Sequence, residues 1–309
     1  FNNNAKTNES RAQVKLATLE YMMPRLTGMW THLERQMGGI GTRGGPGEKQ
    51  IEIDRRIIRN DIKKIKKQLS KVETHRKNQK KSRDEIFKIS LVGYTNAGKS
   101  SILKKLSGYD AYIKDQLFAT LETTTKKLSL PNSKIEVLIS DTVGFIRKLP
   151  HNLVASFRTT LSDIKDADLI LKIVDISAND YEGHIGTIEN TLDYLGAKKC
   201  PSILVFNKVD LIEDKNLLKK INRKYYNPLI ISTTRELMLD DMMEKIENIV
   251  TKDFKESIIK LPYEKSHLID YLYKKSVIKS RKNTYKNIEF RISCKKEDYN
   301  KILNKISSK

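Results

Sequence analysis

At 309 residues the chain is long enough for two or three domains, and 38% hydrophobic with 31% charged residues suits a globular protein rather than a disordered one. No apolar run approaches the ~20 residues of a membrane span, and two cysteines without paired spacing, Cys200 and Cys294, exclude a disulfide framework and a zinc motif; a soluble, monomeric, cytoplasmic protein is the expectation. The net charge of +21 suggests a polyanionic partner such as RNA, but 44 of the 59 basic residues are lysine, a bias that a solvated surface also shows, so distribution has to decide.

The chain opens on Phe1 rather than methionine, so it reads as a fragment or a processed form. From Ser10 to Arg35, Leu16, Leu19, Met23, Leu26, Trp30 and Leu33 recur at steps of three and four, one stripe of a helix that Pro24 should kink. A second stripe, Ile51, Ile58, Ile62, Ile65, Leu69 and Val72, follows a heptad seam. The run Gly38-Gly39-Ile40-Gly41-Thr42-Arg43-Gly44-Gly45-Pro46-Gly47 between them is too rich in glycine to be helix, so an antiparallel helical hairpin with a glycine loop is expected over 1–84. From Asp61 to Arg83 ten basic residues face two acids, an imbalance that favours contact with a phosphate backbone over a merely solvated face.

From 85 to 252, strand-length runs (Phe87–Val92, Ile135–Ser140, Leu169–Asp175, Ser202–Phe206, Leu229–Ser232) alternate with helical ones (Lys99–Leu106, Leu153–Ile164, Glu182–Leu195, Leu237–Ile249). Such alternation implies an α/β domain with a mostly parallel sheet covered on both faces. A small basic α+β unit should fill 253–309, with a helix to Tyr273, two strands and a last short helix.

Gly93-Tyr94-Thr95-Asn96-Ala97-Gly98-Lys99-Ser100 follows a strand and opens a helix, the context that G-x-x-x-x-G-K-[ST] requires of a phosphate-binding P-loop. The glycines let backbone N–H groups wrap phosphates at a helix N-terminus, Lys99 should reach the outer two phosphates, and the Ser100 hydroxyl should ligate Mg²⁺. Asp141-Thr142-Val143-Gly144 ends a hydrophobic strand; Asp141 should support the Mg²⁺ shell and the Gly144 N–H should sense the outermost phosphate, so Lys99 and Gly144 are the candidate catalytic groups. Asn207-Lys208-Val209-Asp210 ends another strand. The Asp210 carboxylate can accept two hydrogen bonds from guanine where adenine offers no such pair, with Lys208 along the base plane. Ser232-Thr233-Thr234 should close over the base through backbone N–H groups. A threonine completing the Mg²⁺ shell is expected between these stations, and spacing leaves Thr120, Thr123, Thr124 and Thr125 all open.

With these stations in order, the chain resembles the HflX-type GTPases, a ribosome-associated family related to translation factors. The likeness rests on the P-loop octet, on Leu117-Phe118-Ala119-Thr120-Leu121, and on Asp141-Thr142-Val143-Gly144-Phe145-Ile146-Arg147-Lys148-Leu149-Pro150-His151. Leu33-Glu34-Arg35-Gln36 with the glycine loop, and Asp54-Arg55-Arg56, add to it. The resemblance implies that Thr120 is the Mg²⁺ threonine beside Ser100 and that Phe118, Ala119, Thr120, Leu121 and Glu122 belong to the nucleotide site. It also implies binding to the large ribosomal subunit through rRNA contacts of the hairpin, and a role in splitting or rescuing stalled ribosomes. Family members usually carry a further α/β domain ahead of the hairpin, which fits a truncated chain. This sequence departs from the family in a glycine loop one residue longer with Lys49 for threonine, in Thr123 for proline, and in Thr233 for alanine; the last is expected to matter little, since that contact is made by backbone.

Phe145 stands where many GTPases place a water-orienting glutamine, so slow intrinsic hydrolysis, stimulated by the ribosome, is expected. Asn96 suggests a K⁺ ion against the phosphates as a further source of positive charge. Two other functions fit the same residues: an RNA-binding protein that holds GTP structurally, and a GTPase that partners RNA-modification machinery.

Overall fold

The computed structural model describes residues 7–25, 46–80, 86–108, 123–142, 144–145 and 163–307. Helix α1 (Asn8–Met22) opens on a capping box in which the Thr7 hydroxyl accepts from the Ser10 amide and the Ser10 hydroxyl from the Thr7 amide, both at 3.1 Å. The α-helical ladder of α1 ends at Met22, and one 3-10 turn, Met23–Arg25, takes up Pro24, where the sequence suggests a kink and the missing N–H cannot continue the ladder. Residues 26–45 lie outside the described residues.

Helix α2 (Pro46–Lys80) begins two residues inside the run expected to be loop, because proline is favoured in a first helical turn, where its missing N–H costs nothing. Leu16 of α1 packs with Ile65 and Leu69 of α2, flanked by Leu19 and Ile62, and Glu20 pairs with Lys66 at 2.8 Å. The two helices of the expected hairpin thus pack against each other through one apolar cluster and one ion pair.

Strands β1 (Phe87–Gly93), β2 (Thr124–Ser129), β3 (Glu136–Asp141), β4 (Leu169–Asp175), β5 (Ser202–Asn207) and β6 (Leu229–Ile230) form one sheet in the order β2-β3-β1-β4-β5-β6. All neighbours are parallel except β2, which runs antiparallel to β3. No sequence pattern announces β2: in Thr-Thr-Lys-Lys-Leu-Ser only Leu128 is apolar and buried, the pattern of a half-solvated edge strand. Helices α3 (Lys99–Ser107) and α6 (Leu239–Val250) cover one face, with Ile102, Leu103, Met242 and Ile246 packed on Ile89, Leu91, Ile139 and Leu171. Helices α4 (Tyr181–Tyr194) and α5 (Lys215–Lys224) cover the other, where Ile188, Leu192 and Ile221 meet Val92, Ile170, Val174 and Phe206. Val14 of α1 belongs to this second cluster, so the hairpin docks on the same side.

The last unit runs β7 (Lys255–Pro262), a 3-10 segment Tyr263–Leu268, α7 (Ile269–Lys275), β8 (Val277–Asn283), β9 (Asn287–Cys294) and α8 (Lys296–Ser307). Its antiparallel sheet has the order β7-β9-β8. Ile259, Leu261, Phe290, Ile292, Leu272 and Ile302 form a separate core. No helix among the described residues is long and apolar enough to cross a membrane.

One buried carboxylate ties the sheet edge to the last helix of the α/β domain. Glu247 of α6, 5% exposed, accepts from the Asn132 amide at 3.2 Å, the Asn132 side chain at 3.0 Å and the Ser133 amide. Burial works against its charge, but the donors of Ser133 and Asn132 outweigh it and hold the carboxyl below the ordinary glutamate range. A depressed folded-state pKa gives stability that is present above the unfolded value, about 4.3, and lost as pH falls through the folded value. Glu247→Ala should cost about 2–3 kcal/mol at pH 7 by stranding buried donors. In urea melts the advantage of the wild type over Glu247→Gln should begin to shrink once pH falls below about 4.3; an advantage that does not change with pH on acidification would show that the charge contributes nothing.

Candidate nucleotide site

The site forms at the C-terminal ends of β1, β3, β4 and β5, joined by the loops that leave them. Strand β1 hands the chain at Gly93 to a turn whose exposed Asn96 takes a left-handed φ of 62°, a conformation asparagine tolerates better than most residues. Gly98 then caps α3 with φ 92° and no side-chain cap. The first N–H groups of α3 are therefore left for an anion, and the helix dipole favours one there.

Lys99 is 6% exposed, and its Nζ donates to the Gly93 carbonyl at 3.2 Å and the Tyr94 carbonyl at 2.9 Å. Desolvation lowers its pKa to about 8 against the opposing pull of the Asp141 carboxylate. This buried ammonium is short of negative charge, which a polyphosphate would supply. The Ser100 hydroxyl donates to the Asp141 carboxylate at 2.5 Å, and Thr142 anchors the end of β3 by donating to the Leu91 carbonyl at 2.7 Å. The Thr95 hydroxyl is buried with no hydrogen-bond partner among the described residues. A serine hydroxyl and a carboxylate converging beside Lys99 form a hard-oxygen donor pair that fits Mg²⁺.

Phe118, Ala119, Thr120, Leu121, Glu122 and Val143 lie outside the described residues. Of the other threonines weighed for the metal, Thr124 and Thr125 sit in β2, paired with Asp141 and Ser140, and the Thr125 hydroxyl is 2.8 Å from that of Ser140.

Gly144 and Phe145 close directly on the P-loop: the Phe145 amide donates to the Gly93 carbonyl and the Thr95 amide to the Phe145 carbonyl, both at 3.0 Å. A Cβ on Gly144 would lie 2.9 Å from Thr95 Cα, so only glycine allows this approach. Beyond the missing glutamine, the structure gives Phe145 a role of its own. It is buried in the cluster that contains Val14 and Ile164.

At the base station, Asn207 Nδ2 donates to the Ala97 carbonyl at 3.0 Å, which joins this station to the P-loop. Asn207 Oδ1 accepts from the Thr233 amide at 3.1 Å and from the Thr233 hydroxyl at 2.9 Å. The side chain of Thr233 thus adds a second donor where backbone alone was expected to act. Asp210 is exposed and accepts from the Ser232 hydroxyl, which in turn accepts from the Arg235 amide at 3.0 Å. Val209 continues from Lys208 in a short 3-10 turn, and Thr234 is exposed beside Thr233. Lys208 adopts φ 67° and pairs with Asp175 at 2.7 Å. Sequence reasoning missed Asp175, which also accepts from the Ser177 amide at 2.9 Å and hydroxyl at 2.5 Å. Its signal was there: it is the one acid of β4, at the strand's end.

The family model for the GTP-binding GTPase Middle Region matches residues 4–83, and that for the 50S ribosome-binding GTPase matches residues 88–208. GTPase HflX of Flavobacterium psychrophilum is 39% identical over 292 residues, covering 88% of this chain and 69% of that protein. GTPase HflX of Caldanaerobacter subterraneus subsp. tengcongensis is 45% identical over 274 residues, covering 88% of this chain and 62% of that protein, and GTPase HflX of Escherichia coli is 36% identical over 281 residues, covering 90% and 66%. The chain thus spans about two thirds or less of the length of several curated relatives. Among solved structures, SsGBP in complex with GDP superposes with a TM-score of 0.50 at 24% identity, covering 81% of this chain and 70% of that one, a likeness of fold alone.

Proposed function

Because the chain belongs to the HflX family of GTPases, we propose that it binds GTP with Mg²⁺, hydrolyses it slowly and acts as a nucleotide-dependent switch on the large ribosomal subunit, in splitting or rescuing stalled ribosomes. The observation that carries this reading is the convergence of the uncapped start of α3, the buried Lys99 ammonium, the Ser100–Asp141 pair and the Asn207–Asp210 station on one rim of the sheet. Ser100, Asp141 and Thr120 would hold Mg²⁺, which neutralises phosphate charge when bound. Lys99 supplies fixed positive charge from a dry position, where it acts more strongly than in water. Gly144 brings a backbone N–H against the P-loop, where it can report the presence of the outermost phosphate. Asp210 selects guanine, and Lys208, braced by Asp175, lines the base.

The hairpin would grip rRNA. On α2, Lys63, Lys64 and Lys67 are exposed, whereas Lys66 is paired with Glu20. Phe145, an apolar ring in the core, cannot orient an attacking water. An rRNA or ribosomal-protein surface must therefore supply the missing stabilisation, aided by K⁺ beside Asn96.

Phosphate release at fixed GTP tests the whole reading. Large subunits should raise a slow basal rate at least about tenfold, within the range open to charge-supplying partners. KCl in place of NaCl should help further, and Asn96→Ala should remove only that part. Fast turnover by the isolated protein in NaCl would show a complete catalytic site and end the proposal of external stimulation; no turnover with subunits present would leave GTP as a structural ligand.

A further inference from the structure

The lysine-rich composition does not spread evenly over the α/β domain. Helix α4 carries three acids, Glu182, Glu189 and Asp193, and no lysine or arginine. Helix α6, on the opposite face, carries four acids, Asp240, Asp241, Glu244 and Glu247, against Lys245. Helix α5 is the reverse, with Lys215, Lys219, Lys220, Arg223 and Lys224 and no acid at all. A bias spread evenly would have given these three helices similar charge, so among them the basic excess belongs to α5.

The packing shows why that charge faces outward. Leu217, Leu218 and Ile221 turn toward the sheet, which leaves Lys219, Lys220, Arg223 and Lys224 on one exposed strip with Asn216. Glu182 of α4 takes up part of it, pairing with Lys224 at 2.8 Å and lying 4.0 Å from Lys220. Lys219 and Arg223 have no acidic partner among the described residues. Just past the helix, Tyr225 packs its ring 5.4 Å from that of Phe206, which fixes the backbone so that the next side chain, Tyr226, projects fully into solvent at 100% exposure. An exposed aromatic ring at the end of a basic strip in which Lys219 and Arg223 lack an acidic partner among the described residues combines the two elements that single-stranded RNA binding uses, cations for the phosphates and a flat face for a base.

We propose that the exposed strip of α5, with Tyr226 at its end, is a second RNA-binding surface, separate from the helical hairpin, that holds phosphates on Lys219 and Arg223 and stacks one unpaired base on Tyr226. Its place in the fold suits this. Strand β5 delivers Asn207 to the nucleotide rim, α5 runs back along the sheet, and Tyr226 stands just before β6 begins at Leu229, at the end of the sheet away from the nucleotide. The hairpin docks on the same face through Val14, so both basic surfaces lie on one side of the sheet. This inference depends on the ribosomal reading only for the source of the RNA, and naked RNA serves as the probe so that the two can fail separately.

The test is fluorescence anisotropy with a labelled single-stranded RNA and a matched RNA duplex across a salt series, with the full chain. The double variant Lys219→Glu and Arg223→Glu should bind both RNAs at least about tenfold more weakly, with a salt slope flatter by roughly 1.4 to 1.8. A control with the same change in net charge, Lys252→Glu with Lys255→Glu, lies just past the acidic α6 and should stay within about twofold of wild type. Tyr226→Ala should weaken the single strand roughly five- to a hundredfold and the duplex much less, and Tyr226→Phe should restore binding. GTP affinity serves as the folding check and should not move in any of them. Equal losses in the α5 and control variants would reduce the effect to net charge and overturn the site. So would unchanged RNA binding, including the case where binding to whole large subunits falls, which would point to an acidic protein as the partner.

Discussion

Replacing Asp210 by asparagine should lower GTP affinity by about 10³-fold or more and turn the site toward xanthine nucleotides. The carboxylate is exposed at the end of β5, where a base can reach it, and the Ser232 hydroxyl occupies only one of its oxygens. Guanine offers a ring N–H and an exocyclic amine side by side, and a carboxylate can accept both. An amide presents one acceptor and one donor group, so one guanine N–H would face another N–H and lose its partner in a largely dry contact. Xanthine carries a carbonyl in place of the amine and restores the match. The supporting groups should be untouched, because Asn207 is held by Ala97 and Thr233, and Lys208 by Asp175, independently of Asp210. Equilibrium binding of labelled GTP and XTP measures both arms, and GTP affinity that stays at the wild-type level would end the guanine assignment.

The stations proposed for phosphate and base could be picked out of the sequence because each depends on a short stretch of backbone. A P-loop needs its glycines, lysine and serine at fixed offsets after a strand, and no distant residue can replace them. The supporting contacts were not legible because they form between segments far apart in the chain. Asp175 meets Lys208 across adjacent strands, the Thr233 hydroxyl reaches Asn207 from a loop 26 residues on, and Phe145 finds its neighbours in the core beside Val14. Thr233 shows the error most plainly. A family position filled by alanine invites the inference that only backbone acts there, yet a threonine at the same place gains a bond that alanine cannot make.

The elements missed share one property: they bury few side chains per turn or per pair. Strand β2 buries only Leu128, and β7 only Ile259 and Leu261, against exposed Ile258 and Lys260. Helix α5 buries Ile221 alone, with Leu217 and Leu218 half-covered, and five charges dilute its periodicity. Hydrophobic pattern finds central strands such as β4, where five of the first six residues are buried, and fails at edges, where pairing with an existing neighbour decides the structure. The same dilution that hid α5 is what marks its outer face as a surface for a polyanion.

Gly98→Ala should disable the phosphate and base stations together, lowering both GTP and GDP affinity by about a hundredfold or more. Two independent costs fall on that one methyl group. The backbone at Gly98 holds φ 92°, where a residue with a Cβ is strained by roughly 1–2 kcal/mol. The added Cβ would also stand 2.2 Å from Asn207 Nδ2. Asn207 cannot yield cheaply, since its amide group donates to Ala97 and its oxygen accepts two bonds from Thr233. Either the loop opens and the N–H groups at the start of α3 lose their aim at the phosphates, or Asn207 withdraws and the brace between loop and base station breaks. Because either movement disturbs contacts that GDP and GTP share, the loss should be similar for both nucleotides. The clash also predicts a specific non-additivity. Asn207→Ala removes the atom that Gly98→Ala strikes, so the double variant should bind no worse than the weaker of the two singles. Calorimetric titration of GDP into the four proteins of this cycle gives the coupling directly. Fully additive losses would show that Gly98 and Asn207 act independently, and wild-type affinity in Gly98→Ala would mean the loop tolerates a side chain that this geometry forbids.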